Sequence, residues 1–178
     1  FRVNLAVGYA LPKDRPNDEA KGGFMYSIEP QYVLIPNVEV GLRLEQAFIQ
    51  RAEFIDNVTY YASNAKSISS AALTVNYLLT PIGRLRPYIG IGAGFYHVEP
   101  SVQTALAVSQ RVAYPLPVTN SIGGLARIGV KFGAINLEGN FNLMNNTSIT
   151  NTATSRTLTA NNSYISVKAG YTIGEDIR

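Results

Sequence analysis

The chain lacks cysteine and tryptophan, has a single histidine and contains no long apolar run. Without cysteine it can form neither a disulfide framework nor a thiolate metal site. A membrane-crossing helix needs about 20 consecutive apolar residues, so this chain cannot cross a bilayer as a helix. Charged residues make up 15% of the sequence, against roughly 25% in ordinary soluble domains. This shortage of charge favours a surface that contacts lipid.

The rest of the composition limits size and partners. The length of 178 residues suits one domain, and we assign 1–178 to a single domain. The net charge of +3 is spread along the chain without a basic run, which argues against nucleic acid as a partner. No signal peptide begins at Phe1, so we interpret the chain as mature or trimmed. Residues 174–178 are either a short tail or the start of a further C-terminal, periplasmic segment.

Eight segments alternate between apolar and polar residues over about ten positions, the length that a tilted strand needs to cross a bilayer. In the second segment, for example, Phe24, Tyr26 and Ile28 share one face, while Met25 and Ser27 share the other. Outer-membrane barrels have short periplasmic turns and long extracellular loops. Here the short connections are predicted at 36–37, 81–85 and 133–134, and the long ones at 11–21, 51–66, 100–120 and 145–162. We therefore predict an all-β fold, an eight-stranded antiparallel up-and-down transmembrane β-barrel with both termini periplasmic.

The apolar face of these strands is predicted to point outward. The opposite face is rich in glycine, alanine, serine and asparagine, which suit the narrow lumen of an eight-stranded barrel. A solvated outer face would carry abundant lysine and glutamate instead. Aromatic residues near the strand ends are candidates for the girdles at the two membrane interfaces. These residues are Tyr9, Phe24, Phe48, Tyr77, Phe95, Phe132 and Tyr171.

Turn parity tests this assignment. The apolar faces of strands six and seven match when Phe132 opposes Ile135, which leaves Gly133-Ala134 as a two-residue hairpin, and glycine in first place suits a type II′ turn. Strands two and three both carry their apolar residues at even positions, so the turn between them must have an odd number of residues. A three-residue turn centred on Pro36 is therefore predicted, with Glu29 opposite Arg43. Pro30 removes a ladder hydrogen bond within strand two. We interpret it as a local bulge or as a residue that faces a weakly paired stretch.

Charged residues of both signs fall on the inward face, where they must pair because an isolated buried charge is very costly. Two groups are plausible, one on strands two and three and one on strands six to eight. We interpret them as a structural plug, with a gated or selective pore as the alternative. The first group is Glu29, Arg43 and Glu45, the second is Arg127, Lys131, Glu138 and Lys168, and Glu39 completes the inward charges.

Catalytic chemistry finds little support. His97 stands near the outer end of strand five, followed by Glu99, and Ser101 or Ser121 could act as a nucleophile. A hydrolase needs a nucleophile bonded to an oriented base, and no recognisable Ser-His pair is visible. Glycines at 90, 92 and 94 lie two apart on one strand face, unlike a phosphate-binding turn. We predict no enzyme activity, no catalytic residue, no metal and no cofactor.

Two long connections differ in character. Residues 145–162 are rich in asparagine, threonine and serine, a composition typical of a mobile solvated loop. Residues 100–120 are apolar. They either extend strands five and six above the membrane, pack over the barrel mouth, or contact a partner.

The segment Arg-Pro-Tyr-Ile-Gly-Ile-Gly-Ala-Gly-Phe-Tyr at 86–96 resembles a strand common in small porin-like barrels, and Gly-Leu-Arg-Leu-Glu at 41–45 is also similar to such barrels. The whole chain resembles the eight-stranded outer-membrane superfamily that includes OmpA-, OmpX- and OmpW-like proteins. The resemblance implies a Gram-negative outer-membrane protein without enzyme activity. Its partners would be outer-membrane lipid and lipopolysaccharide, with a protein bound through surface-exposed loops or as part of a larger complex.

Three other functions remain as alternatives. The OmpW-like resemblance implies a small channel for ions or small hydrophobic solutes. A lipid A-modifying enzyme would need His97 within hydrogen-bond reach of a hydroxyl. A soluble lipocalin-like carrier has eight strands and a similar length, but the absence of tryptophan, of disulfides and of a charged exterior speaks against it.

Overall fold

The computed structural model describes residues 1–13, 22–50, 54–56, 59–63, 65–99, 101–107, 110–116, 118–151 and 156–174. Within these ranges no helix is long and apolar enough to span a membrane. The strands are β1 (Arg2–Pro12), β2 (Gly23–Ile35), β3 (Val38–Gln50), β4 (Phe54–Asp56), β5 (Thr59–Ser63), β6 (Ala65–Leu78), β7 (Leu85–Val98), β8 (Ser101–Ala107), β9 (Gln110–Leu116), β10 (Thr119–Phe132), β11 (Ile135–Leu143), β12 (Thr147–Asn151), β13 (Arg156–Ala160) and β14 (Tyr164–Gly174).

Eight of these strands close into one antiparallel barrel, in the order β1-β14-β11-β10-β7-β6-β3-β2, and β2 pairs back with β1. The closed ring leaves none of the eight with an unpaired edge. Each strand of the barrel neighbours the strands that precede and follow it among the eight, which is the up-and-down arrangement. The predicted eight-stranded antiparallel barrel is therefore confirmed.

The outward face of the barrel is apolar. Large apolar side chains such as Leu73, Ile91 and Ile122 are exposed, while their neighbours along the strands, such as Thr74 and Ser121, are buried. The backbone pleat produces this result because successive side chains of a strand point to opposite sides of the sheet. The predicted orientation of the two faces is confirmed. A continuous apolar wall of this kind is typical of a surface that contacts lipid.

The turn between β10 and β11 has the predicted position and length. Phe132 pairs with Ile135, and Gly133 adopts a φ of +58°. A positive φ is accessible to glycine at little cost and is what a tight hairpin requires of its first turn residue. The turn before β7 is equally tight, since Ile82 pairs with Leu85 and Gly83 has a φ of +62°.

The β2–β3 hairpin differs from the prediction. Ile35 pairs with Val38, so the turn has two residues, Pro36 and Asn37, and the predicted three-residue turn is wrong. A register shift between Val33 and Ile35 takes up the odd residue instead. A bulge changes the parity of a strand just as an extra turn residue does. The apolar faces of both strands therefore still match.

Pro30 does not form the bulge. The β2–β3 register runs through Ile28–Leu44 and Gln31–Gly41 without a shift, but it skips Glu29 and Pro30, whereas Pro30 lies opposite Val3 on the β1 side. Proline has no N–H to give to a ladder. The interpretation of Pro30 as facing a weakly paired stretch is thus confirmed.

The long connections carry strands of their own. A four-stranded sheet in the order β4-β5-β8-β9 joins the β3–β6 connection to the β7–β10 connection, because β5 pairs with β8. Residues 145–162, predicted as a mobile loop, contain the hairpin β12–β13. Threonine is β-branched and favours extended backbone, a preference that the low-complexity interpretation overlooked.

Candidate functional site in the barrel interior

A network of charged side chains crosses the lumen. Both terminal nitrogens of Arg127, Nη1 and Nη2, donate to the Glu29 carboxylate, each at a distance of 2.7 Å. The same carboxylate accepts from the Thr74 hydroxyl at 2.6 Å and from Arg43 Nε at 3.3 Å. Paired, planar hydrogen bonds between arginine and a carboxylate are the strongest kind of side-chain ion pair. Glu29 is therefore held from three strands, β3, β6 and β10.

The network continues across the barrel to β11 and β14. Arg43 Nη2 donates to Glu138 Oε1 at 2.7 Å, and Lys168 Nζ lies 2.9 Å from the same oxygen. Lys168 also donates to Glu45 Oε2 at 2.7 Å. Three carboxylates thus meet three cations, so this cluster is neutral. The prediction of two separate groups is wrong, because the lumen is narrow enough for Arg43 to reach the opposite wall.

Neutral residues complete the network. The hydroxyl of Tyr88 donates to Glu138 Oε2 at 2.7 Å, and the hydroxyl of Tyr164 donates to Glu45 Oε1 at 2.6 Å. Asn76 Oδ1 accepts from Arg127 Nε at 2.6 Å. Sequence reasoning did not assign these roles, although all three residues occupy inward positions of the alternation. Buried carboxylates need such donors because every lone pair removed from water must be satisfied.

A second, smaller charged cluster lies towards the tight turns. Glu39 accepts from Arg2 Nη1 at 2.9 Å and from Lys131 Nζ at 2.5 Å. The predicted grouping of Lys131 with Arg127 is wrong, because four residues of strand separate them by about 13 Å. Arg2 alternates with the outward-facing Phe1 and Val3 on β1 and so shares the inward face, but it was not among the predicted inward charges.

An apolar layer fills the lumen on the other side of the network, towards the long connections. Its members are almost fully buried and form one cluster: Ala10, Met25, Ala47, Ile49, Ile68, Tyr96, Val98, Met144 and Tyr164. Sequence reasoning treated the inward face as polar throughout and missed this layer. The signal was available, because both methionines of the chain fall at inward positions. Burial of these apolar side chains away from water is favourable, so letting water into this layer would cost free energy.

His97 does not meet a catalytic partner among the described residues. Its Nδ1 hydrogen-bonds Asn120 Oδ1 at 2.7 Å, and both residues are exposed on the outward face. Ser121 is buried on the opposite side of the same sheet. The side chain of Ser101, the other candidate nucleophile, lies outside the described residues. The geometry gives no support to a serine hydrolase, which needs a nucleophile bonded to its base.

The aromatic residues predicted for the membrane interfaces all lie on the outward face. The rings of Phe24, Tyr26 and Phe48 form a row with centroids 6.3 Å apart. Phe95 is 71% exposed. The outward position is confirmed for Tyr9, Phe24, Phe48, Tyr77, Phe95, Phe132 and Tyr171. Their role as interfacial girdles stays a prediction.

Comparison with known proteins finds structures of similar fold and no match by sequence. No protein-family model matches the chain, and no curated protein matches it. The crystal structure of Neisserial surface protein A superposes with a TM-score of 0.56 at 14% identity, over 97% of this chain and 95% of that chain.

Two further structures align along their whole length. Ail, the attachment invasion locus protein of Yersinia pestis, gives a TM-score of 0.48 at 11% identity, over 97% of this chain and 98% of that one. The N-terminal β-barrel domain of Pseudomonas aeruginosa OprF gives 0.44 at 15% identity, over 97% of each chain. The likeness to Neisserial surface protein A supports the fold alone, a closed eight-stranded antiparallel barrel.

Proposed function

We propose that this chain is a non-enzymatic barrel of a Gram-negative outer membrane, with a closed lumen and both termini in the periplasm. Its role is to hold the sheet β4-β5-β8-β9 and the hairpin β12–β13 at the cell surface, where they contact a partner. The observation that carries the proposal is that the lumen is filled at two levels. One level is the charged network, in which three carboxylates balance three cations, and the other is the apolar layer.

The charged network supports closure rather than conduction. Arg43 and Lys168 are each 1% exposed, and every carboxylate of the network is engaged by at least two donors. An ion that entered would have to displace these short bonds, and removal of one partner from a buried pair costs about 3–5 kcal/mol. The network therefore acts as a cross-brace between opposite walls.

The surface sheet supports a role in contact. Strands from two separate connections pair within it, since Tyr60 lies opposite Leu106 and Ser63 opposite Gln103. Independent loops would remain mobile and would lose more conformational entropy on binding. A sheet shared by two connections is ordered before any partner arrives. Among the strands that the structure describes, β4 and β9 are the edges of this sheet. Another extended segment could pair along such an edge.

Epitope tags at the two ends of the barrel test the location and orientation. A tag between Ala107 and Gln110, in the β8–β9 connection, is expected to bind antibody on intact Gram-negative cells. A tag in the turn at Gly133 is expected to bind only after the outer membrane is permeabilised, because short turns face the periplasm. The second tag is the matched control for expression. Antibody binding at Gly133 on intact cells would overturn the orientation, and labelled protein in the soluble fraction would overturn the location.

A further inference from the structure

Some bonds of the charged network join strands that are not neighbours in the barrel wall. Arg127 on β10 donates through Nε to Asn76 Oδ1 on β6 at 2.6 Å, although β7 lies between these two strands. Adjacent strands lie about 4.8 Å apart, so the two backbones are separated by roughly 9.6 Å. The two side chains therefore lie flat against the inner wall and meet across β7.

Gly90 is the residue of β7 that lies beneath this bond. The registers place it directly opposite Arg127 on one side and Asn76 on the other. A Cβ atom at Gly90 would clash with Asn76 Oδ1 and would lie 2.8 Å from Arg127 Nε and 3.0 Å from Arg127 Cγ. Non-bonded heavy atoms pack best at about 3.5–4.0 Å. A residue with a side chain at this position would therefore displace the bond.

A second bond crosses an intervening strand in the same way. Glu29 Oε1 on β2 accepts from the Thr74 hydroxyl on β6 at 2.6 Å, and β3 lies between these strands. Gly41 of β3 is paired with Thr74. A Cβ atom at Gly41 would lie 2.8 Å from Glu29 Oε1 and 2.9 Å from Thr74 Oγ1. This crossing too passes over a glycine.

Lys168 on β14 makes a third crossing, over β1. Its Nζ donates to Ser27 on β2 at 3.2 Å and to Glu45 on β3 at 2.7 Å. Gly8 of β1 is paired with Lys168. A Cβ atom at Gly8 would lie 2.6 Å from Lys168 Cγ and would clash with the carbonyl oxygen of Val167. Glycine here gives space both to the crossing side chain and to the neighbouring backbone.

The three crossings turn the network into a belt around the lumen. They connect β10 to β6, β6 to β2 and β2 to β14, which leaves only the part of the ring at β11. Glu138 on β11 completes the circle, since its carboxylate lies 2.9 Å from Lys168 Nζ and 3.7 Å from Arg127 Nη1. Backbone ladders join only adjacent strands. The belt therefore adds bonds between strands that the ladders do not connect.

Glycines on the outward face have no such neighbours. A Cβ atom at Gly139 would have no heavy atom of the described residues within 4 Å, and one at Gly124 would make only an ordinary contact at 3.6 Å. We propose that Gly8, Gly41 and Gly90 are positioning residues of the charged network, each of which lets a charged side chain cross one strand. The proposal deepens the closed lumen proposed above and rests on it.

A double-mutant cycle tests the crossing at Gly90. Gly90→Ala is expected to raise the equilibrium constant for unfolding about tenfold or more, because an added methyl group forces packed side chains out of place. The same change in an Arg127→Ala barrel is expected to have less than about a threefold effect, because the crossing side chain is gone and Asn76 can turn away. The measurement is urea unfolding in phosphatidylcholine vesicles.

Gly139→Ala is the matched control, because it adds the same methyl group to a strand glycine with open space beside it. It should change the unfolding constant less than about threefold in both backgrounds. A Gly90→Ala barrel that folds only when Arg127 is also replaced would support the proposal. An equal effect of Gly90→Ala with and without Arg127, or a failure to fold in both backgrounds, would overturn it, since the methyl group would then act on the backbone alone.

A spectroscopic measurement follows the crossing itself. In a barrel with ¹⁵N-labelled arginine, the Nε–H signal of Arg127 is identified by its loss in Arg127→Ala. Gly90→Ala is expected to shift this signal, because the bond to Asn76 is displaced, and Gly139→Ala is expected to leave it in place. An unshifted signal in Gly90→Ala would overturn the positioning role. A steady conductance of the unchanged barrel in planar bilayers would instead overturn the closed lumen on which the proposal rests.

Discussion

Replacing Arg127 with alanine is expected to lower the free energy of unfolding by about 3–5 kcal/mol, the usual cost of breaking a buried ion pair. Arg127 supplies two of the hydrogen bonds to Glu29 and one to Asn76. Its loss leaves a carboxylate inside the lumen with only Thr74 and a longer bond from Arg43. The measurement is urea unfolding of the barrel in phosphatidylcholine vesicles, followed by circular dichroism and by gel mobility of the folded form.

Two further variants separate loss of charge balance from loss of packing. Arg84, exposed in the turn before β7, is the matched control, and Arg84→Ala should change stability by less than about 0.5 kcal/mol. The double change Glu29→Met and Arg127→Met removes both charges and keeps volume, so it should recover most of the loss. An unfolding free energy for Arg127→Ala within about 1 kcal/mol of the unchanged barrel would contradict the cross-brace role.

Single-channel recordings in planar bilayers are expected to show no steady conductance for the unchanged barrel, because the lumen is filled at two levels. Glu29→Ala alone should remain closed, since the apolar layer still excludes water. Met25→Ala with Ile68→Ala should also remain closed, since the charged network is intact. Only the combination of the three changes is expected to give discrete conducting events, because water can then pass both levels.

The outward change Val75→Ala is the control for effects of side-chain truncation itself, since Val75 lies on β6 as Ile68 does but is exposed to the outside. A reproducible conductance in the unchanged barrel that alters with Glu29→Ala would make the network a gate. The small-channel alternative would then replace the closed scaffold. A triple variant that inserts but never conducts would show that other interior side chains keep the lumen closed.

Sequence reasoning recovered the barrel and the direction of its side chains because both follow from one local rule. A strand alternates with a period of two, so Leu73 and Thr74 must point to opposite sides once either is placed. The turn at Gly133 followed from the same parity. The bulge beside Ile35 did not, because a bulge and a three-residue turn shift the register equally and the sequence contains no signal that separates them.

The alternation rule acts within one strand and does not predict which side chains meet across the lumen. The strands β3 and β11 are not neighbours, so the bond between Arg43 and Glu138 depends on barrel diameter and strand stagger, which alternation does not specify. The pairing of β5 with β8 is of the same kind, since it joins two connections distant in sequence. The neighbourhood of Gln46, Ser69, His97 and Asn120 on the outward face also depends on the register of four strands. Alternation showed His97 to be at an outer strand end, but not that Ser69 and Asn120 flank it.

The charged interior has a consequence for the way this barrel assembles. The network residues from the first four barrel strands, Arg2, Glu29, Glu39, Arg43 and Glu45, carry an excess of negative charge, and those from the last four, Arg127, Lys131, Glu138 and Lys168, carry an excess of positive charge. Either half alone would take uncompensated ions into a bilayer. The two halves are electrostatic complements that attract each other across the lumen. In the membrane location proposed above, we therefore expect the barrel to close as it inserts.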